Sequence, residues 1–326
     1  MSSAILLVNV GSPKNASRRE VAKFLLRYLN DKRVVSLPLW ARMLLVNGVI
    51  IPSRLGKSAK RYREFFAGAP LTLLHHAQAL EQKLNELLLP HGHKAFVAMQ
   101  HSQPTLPCVL RKIKEEGFER VTLVPLFPQY AEATSGSVAA KFRRELGRWK
   151  ALPEASAVES FYSHPAYIRA VVGTLRGYDA GSYDHVVFSY HSLPMTHVAC
   201  AKGTPRCYPT ACEATSRLVA EQLKLDGCRY SVAYQSRMLP HEWLGPSTDD
   251  VLATLAGEGK KRVLLLSPGI VADCLETVHE LVRESRALFL ACGGHTLDIA
   301  PCLNSSDEWV EALMAIAGVS INSSFA

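Results

Sequence analysis

The run VAMQHSQP at residues 97–104 returns, altered but recognisable, as VAYQSRMLP at 232–240. A second echo lies beside it: VTLVPLFPQYAEAT (121–134) against VLLLSPGIVADCLET (263–277). Each opens on a near-continuous Val/Leu/Ala stretch and closes on Pro, Gly, Gln or Ser. Such runs, joined by helical patterns, mark parallel strands covered on both faces. Working outward, the same texture gives strands at 4–10, 95–100, 121–127 and 156–161, then at 185–190, 230–235, 262–267 and 297–301. Helical patterns fall between them at 77–89, 105–116, 211–223 and 275–288. The expectation is an α/β protein with two similar domains, each a parallel four-stranded sheet flanked by helices. They divide as 1–165 and 166–326, within a boundary window of 163–183, with the last helix available to pack back on the first domain.

Length agrees, since 326 residues is two domains at roughly 150 each. Hydrophobic residues at 48% exclude a disordered chain. The start, MSSAILLVNVG, has no basic residue ahead of its apolar stretch and does not read as a signal peptide. The longest apolar run, 41–51, is broken by Arg42, Asn47 and Gly48, well short of the ~20 residues of a spanning helix. A soluble, cytoplasmic chain is expected. The net charge of +8 permits an anionic partner. Its basic residues read as dispersed, without an aromatic-interleaved stripe, so no nucleic-acid partner is expected.

Open parallel sheets bind ligands beyond the carboxyl ends of their strands. Here those ends read NVGSP (9–13), PQY (128–130), SYHSLP (189–194), QSR (235–237) and SPG (267–269), which points to a cleft between the domains. His191 ends a strand, where an imidazole serves either as a hydrogen-bonded structural group or as a base and metal ligand. In DCLETVHE (273–280), Asp273 suits a helix N-cap with Glu276 at N3, a variant of the capping box. Glu280 does not fit that account. It falls four residues after Glu276, where like charges repel on one helix face. Three acids on one side of a helix suit a divalent cation.

Taken together, FSYHSLP (188–194), QSR…WLGPSTD (235–249) and PGIVADCLET (268–277) resemble the three signature blocks of the ferrochelatases. NVGSP (9–13), LPLW (37–40), AGAPL (67–71) and PLFPQY (125–130) follow in the family's order, so the resemblance covers essentially the whole chain. AGAPL departs from a more usual Gly-Gly-Ser-Pro, and HEWL (241–244) from Pro-Trp-Leu. The resemblance implies two Rossmann-like, chelatase-like domains and insertion of ferrous iron into protoporphyrin IX, the last step of haem synthesis. It implies that His191 accepts pyrrole protons or delivers metal and that Glu276 faces it, with Asp273 and Glu280 extending an acidic path for the substrate iron. Tyr130 and Trp243 match cleft-lining positions. Segment 37–51 is either an ordinary buried helix or the family's apolar lip over the porphyrin, able to touch a membrane. Trp40 and Met43 lie on it, and Arg42, Arg54 and Arg63 flank it as candidate propionate partners, Arg63 foremost.

Cys200, Cys207, Cys212 and Cys228 form C-x6-C-x4-C-x15-C, a spacing that no zinc-finger template has. The stretch is similar to the internal segment by which some bacterial ferrochelatases hold a 2Fe-2S cluster. Cys228, at the start of a strand, also reads as an ordinary buried thiol, and Cys108, Cys292 and Cys302 read as core residues. A chelatase acting on coproporphyrin or loading cobalt would use the same His/Glu pair. A non-catalytic tetrapyrrole or iron carrier is the remoter alternative, opposed by the intact His191 and Glu276.

Overall fold

The computed structural model describes residues 2–68, 72–150, 153–198, 206–237 and 242–319. The chain forms two compact units. One runs to Leu126, resumes over Ala131–Glu159 and takes the described residues after Ile316; the other comprises Phe127–Tyr130 and Ser160–Ile316.

The first unit holds strands β1 (Ser3–Asn9), β2 (His93–Met99), β3 (Arg120–Pro125) and β4 (Glu154–Ala157), all parallel, in the order β2-β1-β3-β4. Every residue of β1 is buried, as its unbroken apolar sequence requires of a central strand covered on both faces. β4 is short and mostly exposed, which suits an edge. Helices α1 (Arg18–Leu29), α2 (Leu39–Leu45), α3 (Ile51–Gly68), α4 (Leu73–Leu88), α5 (Leu106–Glu116) and α6 (Ser137–Leu146) belong to this unit. Their ends follow local chemistry. The Ser17 hydroxyl accepts the Glu20 amide at the start of α1, and α5 stops at Gly117 with φ +73°. Five-residue π-helical segments occupy Val46–Ile50 and Glu132–Gly136.

The second unit repeats the plan. Its strands β5 (His185–His191), β6 (Tyr230–Gln235), β7 (Arg262–Leu266) and β8 (Thr296–Ile299) are parallel in the order β6-β5-β7-β8. Its helices are α7 (Pro165–Gly173), α8 (Tyr208–Gln222), α9 (Thr248–Gly257), α10 (Arg286–Ala291) and α11 (Asp307–Ile316). Val187, Val263, Leu265, Leu281, Phe289 and Leu297 form one side of its core. The other side is aromatic: Phe161, Tyr167 and Trp309 meet with centroids 5.3–6.2 Å apart. That cluster seats α11 on α7 within the second unit.

The register sets the two sheets against each other residue by residue. Asn9 pairs with Met99, and Tyr190 with Tyr234. Because VAM (97–99) echoes VAY (232–234), Val10 occupies in the first unit the position of His191 in the second.

Segment 37–51 is not an ordinary buried helix. Leu39 (63% exposed), Trp40 (71%), Leu44 (68%) and Val49 (58%) face outward, and Met43 is exposed as well. Arg42, in contrast, is buried, and its Nη1 donates to the carbonyls of Leu37 (3.1 Å) and Val35 (3.4 Å). It ties down the approach to α2, a structural task in place of the ligand contact expected of it. Cys108 and Cys292 are exposed and Cys302 half-buried, so the expectation of three core thiols fails.

Candidate active site

Strand β5 runs through buried Val186–Tyr190 and ends on half-buried His191, the first residue whose side chain leaves the core. Its carbonyl accepts the Tyr208 hydroxyl (2.9 Å), which fixes the strand end. The next residues are held by the chain before α9. The Ser192 hydroxyl donates to the Leu244 carbonyl (2.8 Å), and Leu244 N–H to the Leu193 carbonyl (2.9 Å). This ladder sets half-buried Trp243 opposite Pro194, beside the loop that follows His191.

Glu276 lies close enough to His191 for its charge to act on the imidazole. Burial pushes the His191 pKa below the ordinary histidine value, against the opposing pull of the Glu276 carboxylate. The ring is therefore neutral at physiological pH, a form able to take a proton. Behind Glu276, burial and then the carboxylate's charge push the Cys274 thiol well up, and burial and then Asp273 do the same to Cys302. Both thiols are neutral walls.

The acidic run does not form the expected capped α-helix. Glu276–Ser285 is a ten-residue π-helix with no side-chain cap, and it begins at Glu276 itself. The capping-box reading is thus overturned: Asp273 stands outside the helix. Its Oδ1 accepts the Thr277 hydroxyl (3.1 Å) and its Oδ2 the Asn304 amide (2.7 Å). Glu280 accepts a hydrogen bond from the Ser236 hydroxyl. Extended π-helix is rare and concentrates at functional sites. Among the described residues, no three imidazole, thiol or carboxylate side chains converge as a metal-holding group. The Glu276 charge reaches His191, while Asp273 and Glu280 are hydrogen-bonded to Asn304, Thr277 and Ser236.

Tyr130 is buried in the same unit, with the Arg206 guanidinium 5.2 Å above its ring. Trp40 and Met43 on α2 and exposed Arg63 on α3 belong to the first unit. Cys207 precedes the first turn of α8 and Cys212 lies within it, both buried, with Cys207 near enough to raise the Cys212 pKa after the larger effect of burial. Cys200 and the side chain of Cys228 lie outside the described residues. Ser236 and Asn304 were missed. Ser236 sits in the quoted QSR block, but only the fold reveals its partner, and Asn304 lies in a loop with no motif.

The family model for ferrochelatase matches residues 2–319. The chain belongs to the ferrochelatase family. Ferrochelatase of Legionella pneumophila (strain Lens) is 34% identical over 330 residues, covering 97% of this chain and 98% of that protein. Ferrochelatase of Aromatoleum aromaticum is 37% identical over 322 residues, covering 96% of this chain and 86% of that protein. The fold is also that of the sirohydrochlorin chelatase SirB of Bacillus subtilis subspecies spizizenii, solved in complex with cobalt. That structure matches at a TM-score of 0.56 and 10% identity, over 98% of this chain and 94% of that one. Ferrochelatase membership and the chelatase fold thus agree with the two parallel sheets.

Proposed function

We propose that the protein inserts ferrous iron into protoporphyrin IX, with His191 as the base and Glu276 as the carboxylate facing it. The observation that carries this is the pairing of a neutral, partly desolvated imidazole with a carboxylate at the end of the second sheet's central strand. Metallation breaks two pyrrole N–H bonds, forms four Fe–N bonds and releases two protons. A base is needed on one macrocycle face, and His191 accepts protons there while Glu276 stabilises the imidazolium that results. The iron arrives hydrated. Carboxylate oxygens at Glu280, Glu276 and Asp273 exchange for its waters stepwise without forming a closed trap. Within the second unit, Tyr130 and Trp243 supply flat apolar wall. Ferrochelatase membership favours iron over cobalt, and the assay below decides between protoporphyrin and coproporphyrin.

Buried Cys207 and Cys212, neighbouring thiols at the start of α8, suit two ligands of a 2Fe-2S cluster, with Cys200 and Cys228 as the other two. When bound, such a cluster supplies a one-electron redox centre and a cross-link across the segment. The Tyr208 hydroxyl ties this segment to the strand end that carries His191.

Peripheral membrane contact through segment 37–51 completes the reading. No described helix is long and apolar enough to cross a membrane. Basic residues prove less dispersed than first read. Residues 18–68 hold twelve basic against three acidic residues, a net of +9, whereas the rest of the chain holds 25 against 26. An exposed apolar segment set in concentrated positive charge suits an anionic bilayer surface.

Anaerobically purified protein is mixed with ferrous iron and either protoporphyrin or coproporphyrin, and porphyrin fluorescence is followed. Faster quenching of protoporphyrin is expected; metallation of neither overturns the reading, and faster coproporphyrin turnover shifts it to the alternative substrate. A colourless, iron-free but active protein removes the cluster. Co-sedimentation with phosphatidylglycerol vesicles but not phosphatidylcholine vesicles is expected, and failure to bind either removes the membrane contact.

A further inference from the structure

Three non-glycine residues among those described have left-handed backbone: Lys224 (φ +55°), Ser236 (φ +66°) and Asn304 (φ +50°). L-residues hold that conformation only at a steric cost, least for Asn. Lys224 has an ordinary reason. It follows the C-cap of α8, where Leu225 N–H returns to the Ala220 carbonyl (3.0 Å) in a helix-terminating turn. The other two lie in separate loops, and each ends on a carboxylate of the acidic run. Ser236, the first residue after β6, donates its hydroxyl to Glu280 Oε2. Asn304, after β8, makes a two-way clasp with Asp273: its Nδ2 donates to Oδ2 (2.7 Å), and its Oδ1 accepts the Asp273 amide (2.8 Å). Its own amide is anchored on the Val271 carbonyl (2.9 Å).

Strained backbone persists only where the surroundings over-determine it. Here two separate loops are bent so that a neutral donor meets a carboxylate of the acidic run. A neutral hydrogen-bond donor orients a carboxylate while leaving it its negative charge. We infer that Ser236 and Asn304 are positioning residues that fix Glu280 and Asp273 for reception of the substrate iron, so that their removal weakens use of the metal and spares use of the porphyrin. This rests on the proposed acidic path and extends it to two residues outside the helix.

The test is steady-state metallation by the full-length protein, varying ferrous iron and protoporphyrin separately, for Ser236→Gly, Asn304→Gly, Ser236→Asn and Glu280→Gln. Glycine accepts the backbone conformation, so these variants remove the donor without misfolding the loop. The expected result is a metal KM raised about fivefold to tenfold by either glycine variant, the scale of one net intramolecular hydrogen bond. The porphyrin KM and the melting temperature stay unchanged. Ser236→Asn, which tolerates the left-handed backbone and carries a donor, is expected to recover part of the loss. Ser236→Gly adds nothing in a Glu280→Gln background. If Glu280→Gln raises the metal KM and the glycine variants do not, the positioning role is wrong while the acidic path stands. If Glu280→Gln itself leaves the metal KM unchanged, the path falls and the inference with it. A fall in stability with equal loss for both substrates assigns the two residues to architecture alone and overturns the inference.

Discussion

The two sheets share strand order, parallel pairing and register, and both carry Gln at one strand end (Gln100 and Gln235), yet their carboxyl ends differ where the candidate acid and base groups stand. Val10 stands where the second unit has His191. Reading the second echo from Val121 against Val263, Ala131, Thr134 and Val138 stand where it has Asp273, Glu276 and Glu280. Both units follow their third strand with a loop and then a π-helical segment, five residues over Glu132–Gly136 and ten over Glu276–Ser285. The Asn9 side chain accepts its neighbour's amide (2.7 Å), and Glu132 pairs with Arg33 (3.2 Å). In the second unit Ser236 meets Glu280 and Asn304 meets Asp273, and the Glu276 charge reaches His191. A repeated backbone therefore supplies the scaffold twice and the proposed acid–base pair once, in keeping with function residing in a site grafted on a fold.

That asymmetry is most exposed to contradiction at Glu276. Glu276→Gln preserves shape and removes charge, and is expected to slow metallation by about 100-fold, within the range of a lost acid–base partner. Thr134→Val, at the equivalent place, should leave the rate unchanged. Comparable losses in the two variants would mean that the first unit shares the chemistry.

A smaller effect sharpens the comparison from the other side. His101 in the first unit, aligned with Ser236, is buried against Tyr28 with centroids 5.3 Å apart. Burial pushes its pKa down to about 4, aided by Lys141 and opposed by Asp31. The unfolded chain, with an ordinary histidine pKa near 6.5, binds the proton first as pH falls. Stability due to the buried neutral ring is therefore full above about pH 6.5 and declines toward pH 4, by up to about 3 kcal/mol. Urea unfolding of wild type and His101→Asn at pH 7 and pH 5 should show a flatter pH dependence in the variant. Equal slopes would mean the ring is not held neutral.

Most of the scaffold was legible because strand burial is a property of local sequence. β6 begins and ends where the apolar run does, and the other strands shift by a residue or more, chiefly at their ends. His191 and Glu276 were legible from block resemblance. What was not legible depends on partners distant in sequence. The spacing of Asp273, Glu276 and Glu280 suits an α-helix, and nothing in residue type announces i→i+5 bonding. Ser236 and Asn304 act through residues 44 and 31 positions away. Arg42 looked like a surface cation because charge alone does not reveal that two carbonyls enclose it.

The smallest expected effect concerns that residue. Arg42→Met keeps the apolar stem and removes the donor to the Leu37 carbonyl, while the Val35 carbonyl keeps the Leu37 amide, costing about 1–2 kcal/mol. Chemical denaturation should register this while the metal and porphyrin KM values hold. A selective rise in porphyrin KM would return Arg42 to the ligand contacts.

The central claim, that one imidazole in the second unit provides the base, is tested most directly by His191→Ala. Porphyrin binding and ferrous-iron insertion are measured on the same anaerobic preparation. The account predicts porphyrin affinity close to wild type and metallation reduced at least about 100-fold. Turnover retained at the wild-type rate would contradict it.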